Sequence, residues 1–174
     1  DIDLNKIKKV NKFNIIYRNK KKNKNVNKLL EFRRVCKSKR IDFYISNDKK
    51  LASTVKADGI YISAHNKDLR FTRLQKPKLK IIGSAHNIKE INLKILQGCT
   101  KILLSRLFKT SYENKPGHFG VIKYNLTNLL YKSDLIPLGG IRLDNLNKLK
   151  IVECNSFAIL SEVKKKPAIT NRLF

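Results

Sequence analysis

Acidic residues are scarce in this chain: thirteen Asp and Glu stand against thirty-nine Lys and Arg, a formal net charge of +26 over 174 residues. Such an imbalance suits a nucleic-acid binder. The lysines, however, are spread along the whole length and travel with abundant Asn and Ile. That spread is expected of solvated positions spelled by an AT-biased genome, and it disfavours a dedicated nucleic-acid surface. The positive field still draws anionic substrates, phosphates included.

No apolar run approaches the length of a membrane-spanning helix, and no membrane partner is expected. The polar amino end lacks an apolar core followed by small residues, so no signal peptide is read there. Cysteine is rare: Cys36, Cys99 and Cys154 are odd in number and far apart. They make neither a C-x-x-C pair nor a disulfide framework, which points to a reducing cytoplasmic compartment. No G-x-G-x-x-G follows the first strand, removing the commonest dinucleotide-binding signature. A chain of 174 residues fills one domain, 1–174, and would cramp two.

What the sequence does contain is a regular alternation of short apolar runs and helical patterns. Strands are predicted at 14–17, 42–46, 59–62, 80–83, 101–104, 135–138 and 156–160. Helices are predicted at 4–10, 26–37, 49–56, 88–97, 126–132 and 143–149. Gly98 closes the helix before it, and 114–120, rich in Pro and Gly, is expected to be loop. The strands are apolar throughout and do not alternate, as happens when helices cover a parallel sheet. Pattern alone leaves an eight-stranded barrel and an open doubly wound sheet both available. The first element read is a helical pattern at Leu4–Val10 with no strand before it, so a barrel reading has seven strands and lacks the first.

The run Ile81-Ile82-Gly83-Ser84-Ala85-His86-Asn87 carries the most information. An apolar strand gives way to a small-residue turn and then a helix. A hydroxyl, an imidazole and helix N-terminal amides thereby gather at the carboxyl end of a strand, where α/β proteins bind ligands. Comparable ends recur: Arg18-Asn19-Lys20, Asn47-Asp48, Thr110-Ser111, Gly139-Gly140 and Ser161. Taken singly, each has a plain reading. Arg18 and Lys20 sit in a basic run, Asn47-Asp48 caps a helix, His86 holds a turn and Gly139-Gly140 makes one.

Taken in order, the set resembles the thiamine-phosphate synthase family and its relatives, the TenI-like thiazole tautomerases. The most specific pieces are Asn47-Asp48, Ala57-Asp58-Gly59-Ile60, Ile82 to Asn87 and Leu138-Gly139-Gly140-Ile141. The resemblance implies a (β/α)8 TIM barrel, here lacking its first strand. It also implies a transferase that joins hydroxymethylpyrimidine diphosphate to thiazole phosphate and releases pyrophosphate. By resemblance Arg18 and Lys20 clamp the diphosphate, chemistry that suits a guanidinium fork and a point-charge ammonium. Asp48 ligates Mg2+, with Asn47 in the same pocket. Ser84 lines the pyrimidine pocket, and His86 is the acid/base position of the tautomerases. Gly139, Gly140 and Ser161 receive the thiazole phosphate, with Thr110 on the loop before them. Expected partners are therefore phosphorylated small molecules, with a homo-oligomer left open.

Three departures from the family pattern bear on the site. Gly-Gln-x-Asp is replaced by Ser63-Ala64-His65-Asn66, which turns the second magnesium carboxylate into an amide and weakens the site unless Asp68 substitutes. The Pro-Thr-x-Thr-Lys loop reads Lys109-Thr110-Ser111-Tyr112-Glu113, and Ile16 stands where the family has glutamine. Two alternatives follow: a tautomerase using His86 without metal, or a non-catalytic basic binding protein on a degenerate barrel.

Overall fold

The computed structural model describes Leu4 and residues 13–18, 25–74, 79–110 and 117–160. Six parallel strands form one sheet, β1 (Asn14–Tyr17), β2 (Asp42–Ser46), β3 (Gly59–Ile62), β4 (Lys80–Ala85), β5 (Lys101–Ser105) and β6 (Asp134–Leu138), in the order β1-β2-β3-β4-β5-β6. Between them run α1 (Val26–Ser38), α2 (Lys49–Thr54), α3 (Ile88–Leu96) and α4 (Gly120–Leu129). A doubly wound sheet reverses its order at a switch point. Here each strand is added on the same side, and right-handed crossovers then put every helix on one face. That is the winding of a barrel.

The two faces show it in their side chains. Phe43, Ile45, Ile60, Ile62, Ile81, Ile102, Leu104 and Leu135 pack beneath Leu29, Cys36, Leu51, Ile91 and Tyr124 of the helices. The alternate positions Tyr44, Tyr61, Ile82, Leu103 and Ile136 make a second cluster with Ile16, Leu138 and Ala158. Period-two alternation with both faces apolar explains why the strands read as unbroken hydrophobic runs. Glycine at position 59 is required by this packing: a Cβ there would overlap the Tyr44 ring and the Lys80 carbonyl. Three thiols, Cys36, Cys99 and Cys154, are free. Burial pushes the Cys36 thiol up to about 11 and the Cys99 thiol to about 12, so neither is a nucleophile near neutrality.

The structure corrects three expected elements. The expected seventh strand at 156–160 contributes a single bridge, Ala158 to Leu138, so the described sheet has six strands. The helix expected at 126–132 runs instead from Gly120 to Leu129. Its buried side is polar-tipped: Tyr124 donates its hydroxyl to the Leu135 carbonyl at 2.5 Å, and Thr127 donates to Lys123 O at 2.7 Å. Leu126, Leu129 and Leu130, the leucines of the predicted helix, are exposed, as is Ile122 before them. The segment after Gly139-Gly140 is a 3-10 helix, Leu143–Ile151, because Asn145 turns back to bind Gly140 O at 2.7 Å and Arg142 N at 2.8 Å. The predicted helix at 4–10 lies outside the described residues save Leu4, which is buried in the core. No described helix is long and apolar enough to cross a membrane.

Candidate active site

Because all six strands run in parallel, their carboxyl ends share one edge of the sheet, and the residues expected to act together do emerge there. Arg18 follows β1, Asn47-Asp48 β2, Ser84-Ala85-His86 β4, Thr110 β5 and Gly139-Gly140 β6. Lys20 and Ser161, together with Ser111, Tyr112 and Glu113, lie outside the described residues.

The ends of β1 to β4 are knitted together. The Arg18 guanidinium lies over the Tyr61 ring, 5.5 Å from its centroid. Tyr61 donates its hydroxyl to the buried Ser84 Oγ at 2.7 Å. Three strand ends are thus joined by one cation–π contact and one hydrogen bond. Asn47 adopts a left-handed φ of +56°, which asparagine tolerates better than most residues. Its amide oxygen accepts from Ser63 N at 3.0 Å and Asn66 Nδ2 at 3.1 Å, while its Nδ2 donates to Ser63 Oγ at 2.9 Å. Asn47 therefore ties the end of β2 to the loop after β3.

His86 has a partner, Glu90, that the strand-end pattern does not reveal. Its ring Nδ1 lies 2.9 Å from Glu90 Oε2, and the same oxygen accepts the His86 backbone N–H at 2.7 Å. An ionised carboxylate only accepts, so Nδ1 carries the proton and Nε2 is the nitrogen left for a ligand. His65, from the β3 loop, stacks on His86 at 5.9 Å between ring centroids. The signal for Glu90 was present in the spacing: Asn87 caps α3 by accepting from Glu90 N at 2.9 Å, the Asn-x-x-Glu pattern of a helix start.

The other half of the edge is built differently. Leu107 N donates to Leu138 O at 2.9 Å and Phe108 N to Gly139 O at 3.0 Å, so the loop after β5 lies along the loop after β6. Gly139 and Gly140 have φ of +93° and +72°. A side chain at position 140 would meet Phe108 O at 2.5 Å, so glycine is required there on two counts. Among the described residues neither glycine N–H has a backbone partner. Arg106 packs against Gly139 and donates from Nη1 to Thr110 Oγ1 at 3.3 Å. Nothing in the strand-end pattern singles out Arg106, since it falls three residues before the Lys109–Glu113 loop.

The donor set for a cation is thin. Asp48 Oδ1 caps α2 by accepting from Leu51 N at 2.9 Å. Asn66 Oδ1 accepts from Asp68 N at 2.9 Å. The Asp68 carboxylate is engaged with Arg70, whose Nε it binds at 2.9 Å and 3.2 Å, and that guanidinium holds its pKa below the usual range. No cluster of three His, Cys, Asp or Glu suited to a metal occurs among the described residues. One carboxylate, Asp48, fits a magnesium ion held largely by water and substrate phosphates, and does not fit an all-protein cage.

Comparisons with known proteins bear on the family and the fold. The family model for thiamine monophosphate synthase matches residues 7–163. A thiamine-phosphate synthase of Prochlorococcus marinus (strain SARG) is 29% identical over 134 residues, covering 76% of this chain and 39% of the relative. One from Clostridioides difficile (strain 630) is 28% identical over 151 residues, covering 84% of this chain and 70% of the relative. The chain thus spans about two fifths of the Prochlorococcus protein's length. The solved thiamine phosphate pyrophosphorylase of Pyrococcus furiosus superposes with a TM-score of 0.67 at 16% identity, covering 98% of this chain and 96% of that one, a likeness of fold.

Proposed function

Since the chain belongs to the thiamine monophosphate synthase family, we propose that it is a transferase of thiamine biosynthesis that joins hydroxymethylpyrimidine diphosphate to thiazole phosphate, releasing pyrophosphate. The observation that carries this reading is the convergence of Arg18, Asn47, Asp48, Ser84 and the Gly139-Gly140 turn on one edge of the sheet. Arg18, held over Tyr61, offers a fork for the diphosphate, and Lys20 adds charge two residues on. Ser84 and Asn47 orient the pyrimidine. The amides of Gly139 and Gly140, with Arg106 beside them, receive the thiazole phosphate; for Ser161, outside the described residues, a phosphate contact rests on the family resemblance alone. Mg2+, which the family generally needs, would be held by Asp48 and substrate oxygens and would offset the charge of the departing diphosphate. Three free thiols fit a reducing cytoplasmic setting.

The test is pyrophosphate release from the purified protein given both substrates and magnesium. Release should require both substrates, and Arg18→Ala should lower kcat/KM by about a hundredfold, the scale of a lost charged phosphate contact. An intact protein that releases none would sink the reading.

A second reading, the TenI-like tautomerase, draws support from one observation: His86 is oriented by Glu90 in the manner of an acid/base, with Nε2 presented. In that case isomerisation of the thiazole carboxylate phosphate proceeds without metal and stops in His86→Asn. An undiminished rate in that variant discards it.

A further inference from the structure

A lysine is completely buried on the wrong side of α3 to touch any substrate. Lys94 has no exposed surface, and neither does Gln97, one helical turn on. Lys94 Nζ donates to Asn66 O at 2.8 Å and to Gln97 Oε1 at 2.8 Å. Gln97 Nε2 donates to Asn66 O and Asp68 O, both at 3.0 Å. The pair therefore grips two carbonyls of the loop after β3 from beneath. Room for the lysine stem comes from Gly83: a Cβ there would stand 2.9 Å from Lys94 Cδ and 2.8 Å from Cys99 Sγ. Burial lowers the Lys94 pKa, a cost that a surface lysine would not carry.

The gripped loop is a wall of the candidate site. Asn66 supplies Nδ2 to Asn47, whose amide also holds Ser63 N, and His65 stacks on His86. A chain of contacts runs from Lys94 through Asn66 to Asn47 and so to the end of β2. The same helix carries Glu90, the partner of His86, near its start. Thus α3 fixes one wall at both ends, with His86 at the mouth and the loop carbonyls below.

We propose that Lys94, with Gln97, is a positioning residue. It pins loop 63–68 so that Asn47 and Asn66 present a fixed amide surface to the pyrimidine diphosphate. The catalytic part of this inference rests on the transferase reading; the mechanical part does not. Lys94→Met keeps the apolar stem and removes the donor. Hydrogen exchange in the full chain is the first readout. The Ser63 and Asp68 amides, which donate to Asn47 and Asn66 side chains, should exchange at least about tenfold faster, with Ile82 and Leu103 in the core strands unchanged. A general loss of stability would instead accelerate all four together, and that result overturns the proposal, as does unchanged exchange at Ser63 and Asp68.

Kinetics supply the second readout. KM for the pyrimidine diphosphate should rise about tenfold with kcat and the thiazole-phosphate KM within roughly twofold, because only positioning is lost. A fall confined to kcat overturns the substrate assignment. Gln97→Met, which leaves the ammonium on Asn66 O, gives the same exchange pattern more weakly and decides the matter if Lys94→Met does not fold. Should the unaltered protein release no pyrophosphate, the transferase reading fails and the exchange result alone judges the clamp.

Discussion

The two ends of the same sheet are built on opposite principles. At the amino end, charges are matched and used up. Lys80 on β4 reaches across β3 to Asp42 on β2 at 2.5 Å, and Lys101 pairs with Asp134 at 3.2 Å. Asp58, just before β3, accepts from Arg33 Nη2 at 2.6 Å and from Phe43 N at 2.8 Å, tying α1 to the sheet. At the carboxyl end amides, hydroxyls and imidazoles stand beside Arg18, Asp48 and Glu90, and Asn47, Gly139 and Gly140 hold left-handed backbone, as Arg40, Lys56 and Gly98 do at the amino end. The lesson is a division of labour: one end spends its polar groups on holding strands together, the other keeps them oriented for a ligand. The Ala57-Asp58-Gly59-Ile60 motif illustrates it. It belongs to the resemblance as firmly as His86 does, yet its work is structural.

The contrast can be broken from either end. The largest effect is expected at Gly59, where alanine forces apart the Tyr44 ring and the Lys80 carbonyl. Stability by urea unfolding should fall by about 3 kcal/mol, with ligand affinity of the folded fraction unchanged. Next is Asn47→Ala at the other end, which removes the acceptor of two hydrogen bonds and the donor of a third. Its stability cost should be only about 1–2 kcal/mol because the site is exposed, while kcat/KM falls about tenfold or more. Smallest is Asp42→Asn, which breaks a partly exposed ion pair. Its cost should stay within about 1 kcal/mol, shrinking further at high salt, with turnover untouched. A large loss of turnover in Asp42→Asn, or none in Asn47→Ala, would erase the distinction between the ends.

Much of this was legible in the sequence because it is local. β1, β2 and β3 have the predicted limits, and β4 and β5 overrun theirs by one or two residues, since short runs of Ile, Phe and Tyr bounded by Asn, Asp and Gly have few other uses. Asp48 and Asn87 cap their helices as their positions suggest. What stayed hidden depends on partners far along the chain. Lys94 meets Asn66, twenty-eight positions away, and a lysine in an amphipathic helix otherwise reads as solvated surface. In α4 the leucines misled, because the buried side is held by a tyrosine and a threonine whose hydrogen bonds to carbonyls periodicity cannot display. The strand at 156–160 failed for another reason: apolar content marks burial, and Phe157, Ala158 and Ile159 do pack against the core, but only Ala158 bridges to Leu138.

The missing side chain at Gly83 has a consequence for how sequences like this one can change. Any residue larger than hydrogen there collides with a stem whose far tip is tethered, and neither can yield without the other. Swaps at 83 and 94 should therefore be conditional: enlarging 83 is tolerated only after 94 has shrunk. A library randomised at both positions would show this as a forbidden corner, with one permitted order of steps around it.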